Sequence, residues 1–199
     1  AQVNGKPVSP ADAAFGQQEN VDHWYNLSAI DVKTDAKTPV VAVLGNSITD
    51  GRGTTTNMHN RWTDFLADAL NAEKPYGVLN LGIGGNCVVE GGISEPAMKR
   101  FDRDILGQTG VDKLVIFEGT NDIGCCGGNY EHVADTLVAC YKVLIAKAKA
   151  KGIKVYGATI TPTKGNGWYS YWHEAMRQQV NEWIRKSGSF DEIIDFDEL

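Results

Sequence analysis

The chain has 199 residues, 42% of them hydrophobic, 22% charged and 9% aromatic, with a formal net charge of −6. That composition suits one compact domain and excludes a disordered chain or a collagen repeat. No apolar run reaches the roughly eighteen residues a membrane helix needs, and the acidic balance argues against nucleic acid as a partner, because phosphate binding draws on clustered Lys and Arg.

Residues 1–38 are polar, with an aromatic spot at Trp24 and Tyr25, and read as an N-terminal extension or strap; the domain proper runs over 39–199. Val40-Val41-Ala42-Val43-Leu44 is a buried strand by its continuous β-branched content, ended by Gly45. Trp62, Phe65, Leu66, Ala69 and Leu70 follow at helical spacing. Val78 to Leu81 is a second strand, closed by Gly82, Gly84 and Gly85, and Leu114 to Phe117 a third, closed by Gly119. Val133 to Ala150 is an amphipathic helix stopped by Gly152. Ile153 to Ile160 is a fourth strand, which Pro162 keeps from extending. Glu174 to Arg185 is helical, and Ile193-Ile194 begins a fifth strand. Continuously hydrophobic strands separated by helices imply an α/β fold, a three-layer α/β/α sandwich around a parallel sheet.

In such sheets, sites form beyond the carboxyl ends of the strands. Those ends carry Gly45 to Gly51, Asn80 to Asn86, and Glu118 to Asp122. Three loops thus bring a hydroxyl, a glycine-rich backbone and a carboxamide to one sheet edge. A serine attacking an acyl carbon needs an acceptor for its proton and donors for the oxyanion that develops. Glycine N–H groups approach that oxygen without an intervening Cβ, and an asparagine side chain adds a neutral donor. Read singly, Ser47 could be a helix cap, Gly82 to Gly85 a tight turn, and Asn121-Asp122 an ordinary turn. Gly82-x-Gly84 lacks the third glycine of a dinucleotide fingerprint, Cys87 standing in its place, so no organic cofactor is expected. The cysteines lack zinc-site spacing, so no metal is expected either.

Gly45-Asn46-Ser47-Ile48, Gly85, and Gly119-Thr120-Asn121-Asp122 resemble the first three sequence blocks of the SGNH, or GDSL, hydrolases. The order and spacing match over roughly residues 40–197. Within that superfamily the chain is most similar to the xylan-esterase-like branch of bacterial carbohydrate esterases, on Val43 to Thr54, Asn60-Arg61-Trp62, Asn80 to Asn86 and Ile153 to Thr159. The resemblance implies the flavodoxin-like SGNH hydrolase fold, with Ser47 as nucleophile. The N–H groups of Ser47 and Gly85 and the Asn121 side chain then form the oxyanion hole. Asn46 stands where the family usually has aspartate. The family's base is a histidine in a late Asp-x-x-His segment. The sequence reaches Asp195-Phe196-Asp197-Glu198-Leu199 without one, so the domain is expected to be C-terminally incomplete, with the base and its aspartate beyond Leu199.

Of the four histidines, His173 is the best placed substitute; His59 could line the mouth of the site, and His23 and His132 read as exposed polar residues. Trp168, Tyr169, Tyr171 and Trp172 cluster after the fourth strand. There they either form a carbohydrate platform, with Trp168, Tyr169 and Trp172 binding substrate, or pack the next helix onto the sheet. Trp62 and Trp183 sit at helical core positions. Cys87 either bridges to Cys125 or Cys126, which would fit a secreted or periplasmic enzyme, or all three remain free thiols. Cys140 reads as a small core hydrophobe.

The expected activity is a serine esterase removing acyl groups, acetyl foremost, from polysaccharide such as xylan. The alternatives are a catalytically impaired carbohydrate-binding module of the same fold and a lipase or thioesterase of the superfamily. The expected partner is an acylated carbohydrate or a small ester, with neither nucleic acid nor membrane.

Overall fold

The computed structural model describes residues 2–3, 6–7, 29–34 and 37–198. Two units are distinguished, Ala1–Lys33 and Thr34–Leu199. In the first, β1 (Gln2–Val3) pairs antiparallel with β2 (Lys6–Pro7). Trp24, Tyr25 and His23 lie outside the described residues, as do most of residues 1–38, on which the reading of an extension or strap falls.

The second unit carries five parallel strands, β3 (Val40–Gly45), β4 (Gly77–Gly82), β5 (Val111–Phe117), β6 (Lys154–Ala158) and β7 (Glu192–Ile194), in the order β4-β3-β5-β6-β7. Two outward steps from β3 in opposite directions give the flavodoxin-like order. Side chains alternate across the pleat. Ala42, Leu44, Leu114 and Ile116 face one core with Leu137, Tyr141 and Leu144 of α5 (Val133–Ala150) and Val180 and Ile184 of α6 (Tyr171–Lys186). Val41, Val43, Val115 and Phe117 face the other, against Trp62, Leu66 and Leu70 of α2 (Trp62–Glu73). Each face of the sheet is therefore covered, as the three-layer reading requires.

Trp62 packs edge-on against Phe117 and Phe196, and Trp183 lies between Tyr141 and Phe190. Phe65 departs from the helical-core expectation: it is 62% exposed, because α2 turns only its Trp62, Leu66 and Leu70 stripe to the sheet. Helix α6 begins at Tyr171 rather than Glu174, since the Ser170 hydroxyl caps it by accepting from the His173 N–H at 3.1 Å.

An ionic cluster ties the segment after β7 back onto α6. Arg185 meets Asp195 in bidentate fashion, 2.7 Å at both oxygens, and also reaches Asp197 at 2.8 Å. Arg177 pairs with Asp197 and with Glu174. Hydrogen bonding from Arg185 pulls the Asp195 carboxyl down to about 2. A carboxyl whose folded pKa is depressed contributes stability above its unfolded pKa and loses it as pH falls through the folded one. The contribution is therefore complete above about pH 4 and fades towards pH 2. In urea titrations the gap between the protein and Asp195→Asn is expected to be open at pH 6 and to close across that window. A gap that is constant with pH would contradict the assignment.

Candidate active site

Strands β3 and β4 end in register on Gly45 and Gly82, and the single-turn helix α1 (Ser47–Asp50) lies directly over both. A Cβ on Gly82 would stand 2.3 Å from the Asp50 amide nitrogen, and one on Gly45 2.2 Å from Thr49 Oγ1. Only glycine lets the turn sit this close, which explains the glycine at each strand end. Asn46 caps α1, its Oδ1 accepting from the Ile48 N–H at 3.0 Å. The cap is thus Asn46 and not Ser47, which frees the serine hydroxyl from that duty. As the first helical residue, Ser47 also has no intrahelical acceptor for its own N–H.

The loop after β4 turns at Gly85, where φ is +69°, a conformation other residues adopt at a cost. The Gly85 N–H donates to no described main-chain carbonyl, while its C=O accepts from Ile93. After β5 the chain enters α4 (Thr120–Gly124) through Gly119, and the first turn carries Asn121. The Asn121 Nδ2 donates to the Asn86 carbonyl at 2.7 Å, which fixes the plane of the carboxamide and leaves its second N–H unspent. Asp122, next in the turn, accepts from the Val88 and Val89 N–H groups at 3.0 Å, stitching α4 to the β4 loop. Ser47, Gly85 and Asn121 line one cleft of about 750 Å³, with Ile48, Arg52, Ile93, Lys164 and Trp168 among its other walls.

Beneath the cleft lies a buried cation that inspection of the sequence missed. Arg100, on α3 (Ala97–Phe101), gives two hydrogen bonds to Asn86 Oδ1, at 2.8 and 3.0 Å, and one to the Leu81 carbonyl at 3.0 Å. It also reaches the Gly45 carbonyl at 3.3 Å, Asp104 at 3.3 Å and the fully buried Glu118 at 3.8 Å. One guanidinium therefore joins the ends of β3 and β4 to the residue whose carbonyl holds Asn121. Burial pushes the Glu118 carboxyl well above its ordinary range, with the Asp122 charge adding to the rise and Arg100 opposing it.

Trp168 lines the cleft and packs on Gly124, where a Cβ would lie 1.8 Å from its ring. Tyr169 and Trp172 are not among the cleft walls: Tyr169 meets Tyr171 edge-on, and Trp172, 67% exposed, stacks on Tyr130. No described histidine lines the cleft. His173 Nδ1 bonds the Trp168 carbonyl at 2.5 Å, so that nitrogen carries the proton, and Nε2 faces Cys126 Sγ at 3.5 Å. Both ring nitrogens are thus engaged away from Ser47. His59 sits in the α1–α2 loop with φ of +49°, and His132 is exposed.

All four cysteines are free, so the bridge from Cys87 to Cys125 or Cys126 is not formed. Burial, and after it the charge of Asp122, pushes the Cys87 thiol up to about 12. Because the thiolate is the nucleophile, native alkylation with iodoacetamide is expected to modify exposed Cys125 and spare Cys87 until the protein is unfolded. Early loss of Cys87, followed by peptide mass spectrometry, would contradict that placement.

Residues 43–199 match the model of the GDSL-like lipase/acylhydrolase family. No curated protein matches the sequence. Among solved structures, the chain is similar to a lipase/acylhydrolase from Enterococcus faecalis (17% identity, 81% of this chain and 77% of that one, TM-score 0.62). It is also similar to an acetyl xylan esterase, AlAXEase (19%, 80% and 78%, TM-score 0.59). A third is AlinE4, an esterase of the SGNH-hydrolase family (14%, 82% and 79%, TM-score 0.57). At these identities the structures speak for the fold, while the family match spans most of the sequence: the chain belongs to the GDSL-like lipase/acylhydrolase family and is a carboxylic ester hydrolase.

Proposed function

We propose that the protein is a serine esterase that removes acyl groups, acetyl foremost, from a polysaccharide such as xylan, through an acyl-enzyme on Ser47. The observation that carries this reading is the meeting of Ser47, Gly85 and Asn121, from three separate loops, on one cleft. The Ser47 Oγ attacks the acyl carbon and gives up its proton to a base. The oxyanion takes hydrogen bonds from the Ser47 and Gly85 N–H groups and the free Asn121 N–H. Collapse expels the sugar oxygen, which leaves as a hydroxyl with that proton. Water then attacks the acyl-enzyme, releasing the carboxylic acid and restoring Ser47. The base is a group that the described cleft residues do not supply. Even without it, donors around an oxyanion retain part of the rate over water.

The similarity to an acetyl xylan esterase supports the choice of acyl group and polymer, and Trp168 offers a sugar ring an aromatic wall. Hydrolysis of p-nitrophenyl acetate, butyrate and octanoate by the protein and by Ser47→Ala tests the reading, together with acetate release from acetylated xylan. The expected result is Ser47-dependent turnover that falls with acyl length. Equal rates in the two proteins would overturn the esterase reading, and a preference for octanoate would turn it to a lipase or thioesterase.

A further inference from the structure

We infer that the substrate of this cleft carries a carboxylate beside the ester, as an acylated uronic acid in a glycan does, and that Arg52 and Lys164 hold it; the inference rests on the esterase reading above. The protein has 25 acidic and 19 basic residues, yet the charged side chains on the cleft walls, Arg52 and Lys164, are both cations. Arg52 is also the exception among the arginines. Arg61, Arg100, Arg103, Arg177 and Arg185 each pair with a carboxylate of the chain, and Arg52 pairs with none among the described residues. Asp50, whose carboxylate lies beside Gly84, makes no ion pair with it.

Arg52 is anchored next to the chemistry. Its main-chain N–H donates to the Ser47 carbonyl at 2.8 Å, so its side chain springs from the turn that carries the nucleophile. Lys164 comes from the loop between β6 and α6 and lines the same cleft, with Asn166, Thr163 and Trp168. A guanidinium matches the two oxygens of a carboxylate, and an ammonium adds a second positive point without fixed geometry. Besides Ile48, Ile93 and Pro162, the walls carry the hydroxyls of Thr161 and Thr163, the Asn166 carboxamide and the Trp168 indole, groups that meet the hydroxyls and the apolar face of a sugar ring. Neutral sugars of an acetylated polysaccharide would leave both cations unmatched; a uronic acid carried on the same polymer, beside the ester, uses them.

Calorimetric binding to the Ser47→Ala chain, where turnover does not interfere, tests this with partially acetylated trigalacturonate and partially acetylated xylotriose. The acidic sugar is expected to bind about three- to tenfold more tightly, the size of two exposed ion pairs, and to lose that margin in high salt. The margin is also expected to vanish in the additional Arg52→Glu variant. Arg52 is exposed, so the substitution leaves the fold intact, and Arg52→Gln serves as the milder control. Equal affinities, binding of neither sugar, or an acidic preference that survives Arg52→Glu would overturn the inference. The Ser47 dependence of p-nitrophenyl acetate hydrolysis, a neutral substrate, reports the esterase reading separately from these outcomes.

Discussion

Asn121→Ala is expected to lower kcat for ester hydrolysis by about a hundred- to a thousandfold, with KM changed far less. The side chain sits on the first turn of α4, and one of its two N–H groups is already committed to the Asn86 carbonyl at 2.7 Å. That bond makes the carboxamide a rigid donor, so the remaining N–H needs no reorganisation when charge appears on the acyl oxygen. Its benefit is realised in the transition state and not in substrate binding, which is why the loss should fall on kcat. Asn121→Asp should fall at least as far, since its carboxylate would face the oxyanion with like charge and without a donor. Steady-state kinetics on both variants check this. A defect confined to KM would show that Asn121 binds substrate instead of stabilising the oxyanion.

Arg100→Met is expected to lower stability by about 3–5 kcal/mol, roughly 6–20 °C in Tm, the usual cost of deleting one member of a buried ionic group. The guanidinium is 1% exposed and serves Asn86, Leu81, Gly45, Asp104 and Glu118 at once. Methionine fills the volume but leaves the Asn86 carboxamide oxygen without its donor and takes one from the Leu81 carbonyl, while the Gly45 carbonyl keeps the Ile83 N–H at 3.0 Å. Glu118→Gln should cost far less, because the carboxyl it replaces is already pushed towards its neutral form by burial. Activity at a temperature where Arg100→Met remains folded should also fall, since Asn86 would no longer hold Asn121 in place. Calorimetry and kinetics on the two variants separate these effects, and equal losses in Arg100→Met and Glu118→Gln would contradict the arrangement.

Strand placement was legible because parallel strands buried on both faces show as continuous apolar runs, as Val40 to Leu44 does, and need no partner to be recognised. The cleft was legible for a related reason: Gly45, Gly82, Gly85 and Gly119 mark strand ends where backbone must turn sharply or pack closely, and that constraint is local. Arg100 was not legible. In Met98-Lys99-Arg100 it looks like part of a solvated helix face, and its burial is decided by Gly45 and Glu118, which are distant in sequence. The aromatic cluster after β6 marks the same limit. Proximity in sequence brings Trp168, Tyr169 and Trp172 together, but only the packing of Trp168 on Gly124 decides which one walls the cleft. Likewise the pairing of His173 with the Trp168 carbonyl and Cys126 depends on how the loop before α6 folds back, which residue spacing does not encode.

The assignment of the nucleophile is tested most directly by covalent trapping. An alkyl fluorophosphonate probe, which reacts with an activated serine in an oxyanion hole, is incubated with the protein, and the modified peptide is located by mass spectrometry. The account predicts a single adduct on Ser47 that is absent from Ser47→Ala and weakened in Asn121→Ala. An adduct on another residue, or labelling that persists in Ser47→Ala, would contradict it.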